Sequence, residues 1–118
     1  MKIKTSIIKE TIELEQNGEV VKTIPFTFDS AKKWADVNRI RFRMAENKEK
    51  PDEIGKLFLE LLNVVLGPSS KDLIEYYDGN WEGMVIDISP LFLDVIYPAC
   101  DKAHKTAING LKKAKRRG

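Results

Sequence analysis

The most restrictive feature of this sequence is the pair Asn17-Gly18, set between two segments of alternating polarity. Both residue types tolerate positive φ, which the two central positions of a type I′ hairpin turn require. Before the turn, Ile8, Ile12 and Leu14 share one parity, with Glu13 and Glu15 on the other. After it, Val20, Ile24, Phe26 and Phe28 alternate with Val21, Thr23, Pro25 and Thr27. The pattern predicts an antiparallel hairpin with one buried face. Ile3 and Ile7 have the opposite parity. The first strand, expected over 3–15, is therefore covered on both faces at its start or shifted in phase by a bulge. Pro25 has no N–H to donate, which places the second strand at an edge or interrupts it. Two strands alone are marginal in water. The hairpin must pack on other elements or pair with another chain through its open edge.

The remainder reads as helix. Asp29-Ser30 supplies an N-cap, and Trp34, Val37, Ile40 and Met44 follow at three- and four-residue steps. Ala31, Ala35, Phe42 and Ala45 widen that face, and the helix is expected to end near Asn47. Pro51 suits the first position of a second helix, with Asp52 and Glu53 at its positive end. Ile54, Leu57, Phe58, Leu61, Leu62, Val65 and Leu66 make it the central core helix, stopped by Gly67-Pro68. A short helix capped by Ser69 or Ser70 covers Lys71 to Tyr77, a loop covers Asp78 to Gly83, and a further short helix covers Met84 to Ile88. Ser89-Pro90 opens the last helix, with a stripe of Phe92, Val95, Ile96, Ala99, Cys100, Ala103, Ala107, Ile108 and Leu111. Pro98 falls inside that stripe and must kink or split it. The expected class is α+β, mostly α: an N-terminal β-hairpin followed by a four- to five-helix bundle. At 118 residues this is one domain: hairpin 1–28, helical body 29–111, flexible basic tail 112–118.

Charge and cysteine usage narrow the function classes. The formal net charge is +2, yet Lys112, Lys113, Lys115, Arg116 and Arg117 crowd the C-terminal end, and the body without them is mildly acidic. That is no footprint for nucleic acid, and a terminal basic run reads as a solvated end. The apolar runs are short, which argues against a membrane-spanning helix. The N-terminal stretch has scattered charges unlike a signal peptide, and Cys100 is a single cysteine. Folding in a reducing cytoplasm is expected.

Chemistry-bearing groups are sparse. Asp94, Asp101 and His104 share a helix face at steps of seven and three, a weak, open arrangement for a metal. Cys100 and His104 lie four apart, but Cys100 falls on the apolar stripe, as an inert core thiol does. Asp78-Gly79-Asn80 lacks the downstream acidic spacing of a calcium loop. The glycines from Gly79 to Gly83 follow no strand, so they do not match a phosphate cradle. Arg39, Arg41 and Arg43 alternate and spread around their helix. No catalytic, metal or cofactor site is therefore expected. Trp34 reads as core. Trp81, in a loop-like stretch, reads equally well as core or as a partner contact.

The strand followed by NGEVVKTIPFTFDSAKKWADV, an all-helical body and a Lys/Arg-rich end resembles the tail assembly chaperones of long-tailed bacteriophages and prophages of Gram-positive hosts. The likeness spans most of the chain as architecture and is specific over residues 11–37. It implies a cytoplasmic, non-enzymatic protein, absent from the finished virion, that binds the tape measure protein before the tail tube forms. It also implies no cofactor. Neighbouring copies bound along one partner could touch through the hairpin edge or the last helix, giving a homo-oligomer. Trp81, Phe92, Ile96 and Tyr97 are the expected partner contacts. A small nucleic-acid-binding regulator, favoured by the arginine set and the basic tail, is the alternative. A virion tail completion or connector protein is another.

Overall fold

The computed structural model describes the backbone of residues 1–117 and the side chains of residues 1–113; most of the basic tail thus lies outside the described side chains. Strand β1 (Ile7–Gln16) pairs antiparallel with β2 (Glu19–Asp29). The turn carries positive φ at Asn17 (53°) and Gly18 (83°), as a type I′ turn demands. Inward pairs Ile8↔Phe28 and Ile12↔Ile24 lay one apolar face on the helices. A register shift falls between Leu14 and Glu15, opposite Val20–Lys22, so the bulge sits by the turn and leaves Val21 without a partner. It does not rephase the start of β1. Ile3 precedes the strand and Ile7 opens it, and both are exposed.

Helix α1 (Ser30–Glu46) begins where Asp29 accepts a hydrogen bond from the Lys32 amide, and ends at Asn47. Its buried face is narrower than expected. Val37 and Ile40 are buried, Trp34 and Met44 half-buried, and Ala31, Ala35, Phe42 and Ala45 face solvent. The second helix starts at Pro51 and buries Leu57, Phe58, Leu61, Leu62, Val65 and Leu66. Full burial of such side chains contributes roughly 1.5–3 kcal/mol each. Leu66 passes through a 3₁₀ turn (Gly67–Ser69) directly into Ser70–Tyr76, and we treat residues 51–76 as one segment, α2, bent at Gly67. The serines expected to cap a separate helix bond elsewhere. Ser69 Oγ donates to the Pro25 carbonyl (3.0 Å), clamping β2, and buried Ser70 Oγ donates to Asn63 Oδ1 (2.6 Å).

The largest departure from the sequence reading is the last segment. Trp81–Pro90, a π-helical stretch Leu91–Ile96 and Tyr97–Arg117 run on without a loop as one helix, α3 (residues 81–117). Among the described residues the body is thus three helical segments, where four or five were expected. The π turn explains why Pro98 fails to divide it. Pro98 cannot donate to the carbonyl four residues back, and just before it the helix has already widened, with the Tyr97 amide donating to the Phe92 carbonyl. The same turn orders the core. Met84, Ile88, Phe92, Ile96 and Cys100 recur every four residues, and all are buried. In a regular helix each such step overshoots a full turn by about 40°. Wider i→i+5 turns wind less per residue, which keeps all five on one face. Read as continuous, residues 81–113 form one helix long and apolar enough to cross a bilayer by length and composition. The sequence reading sets such a helix aside because the uninterrupted apolar runs are short.

One apolar cluster joins the hairpin to all three helices. The Cα radius of gyration, 16.5 Å, exceeds the roughly 13.5 Å of a compact chain this long. The molecule is elongated, and the residues described from Ala107 to Lys113 on α3 are exposed.

Gly55 on α2 is buried because Trp81 lies on it. A β-carbon there would stand 2.6 Å from Trp81 Nε1. Alanine favours a helix over glycine by about 1 kcal/mol, but overpacking costs about 1–3 kcal/mol. Gly55→Ala is therefore expected to lower stability with Trp81 present. In a Trp81→Ala background the same change should raise it, and paired denaturant titrations read that reversal of sign.

Candidate partner-binding groove

A groove of about 600 Å³ lies between the chain entering β1 and the second half of α3. Lys4, Thr5, Ser6, Ile7 and Ile8 form one wall, Ala99, Lys102, Ala103, Thr106 and Ala107 the other, and Ser30 and Ala31 the floor. Leu111, four residues beyond Ala107 and 66% exposed, extends the helical wall along the same row. Ile7 is 47% and Ile108 38% exposed. These apolar side chains stay partly open to water.

Polar bonds at the junction of β2 and α1 hold the first wall. Ser6 Oγ donates to Asp29 Oδ1 (2.7 Å), while Ser30 donates to the Ser6 carbonyl from both its amide (3.2 Å) and its hydroxyl (3.0 Å). The Ser6 hydroxyl, and then the Lys32 amide, favour the charged form of Asp29 and hold its carboxyl below the usual value of 3.8. A lowered folded-state pKa gives stabilisation that is present above the unfolded value and lost as pH falls through the lowered one. Acidification below 3.8 is therefore expected to loosen this wall, seen as faster amide exchange at Ile7 and Ile8. Asp29→Asn should abolish that pH dependence.

The side chains expected from sequence to meet a partner do not converge here. Phe92 and Ile96 are buried in the core (3% and 0% exposed) and offer a partner no surface. The period-four stripe turns them inward, which corrects their assignment. Trp81 is not in a loop. It opens α3 under an Asn80 cap and rests half-buried on Gly55. Tyr97 is half-buried beneath the Arg41 guanidinium, 4.4 Å from its ring centroid, and burial pushes its hydroxyl pKa up. Trp34, expected in the core, is half-buried and stacks on His104 at 3.7 Å.

The remaining chemical groups are engaged separately. Asp101 pairs with Arg41 (3.3 Å), His104 stacks on Trp34, and Asp94 is exposed. Among the described residues no group of three or more His, Cys, Asp or Glu side chains is placed to hold a metal ion. Cys100 is buried, and that burial, with Asp101 nearby, pushes its thiol pKa up to about 11; a thiol so raised is a poor nucleophile. Arg39 pairs with Glu60 (3.0 Å) on α2, while Arg41 turns toward α3. Two of the three arginines are thus committed to different neighbours. No protein-family model, curated protein or solved structure matches the chain.

The groove had a signal in the sequence. Ile7 did not fit the strand's parity, and the apolar row of the last helix continued to Leu111.

Proposed function

We propose that this protein is a binding module that shelters an apolar helix of another polypeptide, acting as a phage tail assembly chaperone for the tape measure protein. The observation that carries the reading is the two-walled groove with exposed Ile7 and Ala107 lining it and Leu111 continuing its helical wall. A partner helix laid there would cover side chains that water otherwise meets, the usual mode of helix-in-groove recognition. A tape measure is long, helical and apolar-striped, so many copies bound along one chain would reinforce one another. The resemblance over residues 11–37 supplies the identity of the partner and the cytoplasm as the place of action.

Co-expression with the long coiled-coil-rich product encoded immediately downstream is the test. The expected result is a rise in that product's soluble fraction and its co-purification with this protein. No rise in solubility overturns the reading. Recovery of the protein in purified particles would favour a tail completion or connector role instead.

A further inference from the structure

Both walls of the groove carry positive charge only. Residues 1–8 contribute Lys2 and Lys4, residues 102–113 contribute Lys102, Lys105, Lys112 and Lys113, and neither stretch contains Asp or Glu. Lys4 and Lys102 line the groove itself, and neither pairs with a carboxylate among the described residues. The acids adjoining the floor and the helical wall in sequence are occupied, Asp29 by Ser6 and Lys32, and Asp101 by Arg41. An apolar groove between lysine rims suits one kind of occupant. We propose that the groove takes an amphipathic helix whose apolar stripe is flanked by Asp and Glu. This rests on the chaperone reading and specifies which segments of the partner are held. A second copy's α3 end, itself lined with lysines, is repelled by the same rims. Like-charge juxtaposition suppresses wrong partners, and opposite charge steers the right one.

The test uses the full chain and three synthetic helical peptides of about 18 residues, some five turns. They share one Leu/Ala stripe and differ in flanks of Glu, Gln or Lys. At low salt the Glu-flanked peptide is expected to bind at least ten times more tightly than the Lys-flanked one. That preference should shrink as salt shortens the screening length. The Lys4→Glu/Lys102→Glu double variant, its fold checked by circular dichroism, should reverse the order. Equal binding of the three peptides, or no binding of the Glu-flanked peptide, overturns the proposal. So does binding to phosphatidylglycerol vesicles with none to the peptides, which would make the groove a membrane-surface site. The chaperone reading is scored separately, by tape measure solubility on co-expression with the same double variant. Solubility retained together with indifference to peptide charge removes the acidic-flank proposal alone.

Discussion

Phe28→Ala is expected to be the most damaging single change to the fold. Phe28 is 1% exposed, faces Ile8 across the hairpin and sits one residue before the Asp29 cap of α1. It fastens the sheet to the helices at the point where the chain passes from one to the other. Truncating a buried phenylalanine costs about 3–5 kcal/mol. A small domain has roughly 5–15 kcal/mol in all, so much of its stability is lost. The midpoint of thermal unfolding should fall by more than about 10 °C. Thr27→Ala, one residue earlier and on the solvent face, should change stability by less than about 0.5 kcal/mol. If both variants melt alike, the hairpin is not held by its inner face and the packing described above is wrong.

Ala107→Glu carries the largest expected effect on function. Ala107 lines the groove and is exposed, so the isolated protein tolerates a carboxylate there. Stability is expected to change by no more than about 0.5 kcal/mol. Under a bound apolar helix the same carboxylate is desolvated without a partner, which costs at least about 2 kcal/mol, or roughly 30-fold in affinity. Solubilisation of the tape measure should therefore fail while the circular dichroism spectrum and melting curve stay unchanged. Glutamate at Asn38, on the exposed face of α1 and outside this groove, serves as the control. Equal loss from both changes would point to a general charge effect and away from this groove.

Much of the architecture was legible from local chemistry. Asn17-Gly18 names its turn because few residue pairs accept two positive φ angles. Asp29 and Pro51 mark helix starts because they answer, in opposite ways, the free amides of a first turn. The face of α2 was readable because its apolar positions repeat at the helical period, and the helix buries them on neighbours from several elements. Three features were not legible. Pro98 looked like a break because proline's cost is judged against a regular helix, and a π turn lowers it by widening the ladder. Phe92 and Ile96 looked available because their facing depends on how far the helix has wound by that point. The rows ending in Leu111 and beginning at Ile3 looked like core, since periodicity records which residues are apolar and not whether a neighbour reaches them.

The sequence by itself thus determined the hairpin, its turn, the starts of α1 and α2 and the apolar set. Tertiary structure alone decided that the last two expected helices are one, and that this helix outruns the body it packs on. It also decided that the uncovered length, with the Ser6-pinned entry to β1, forms an apolar groove between lysines. The division has a physical cause. Turns, caps and periodicity act within a few residues, whereas burial depends on the distance between surfaces far apart in the chain, which only packing sets.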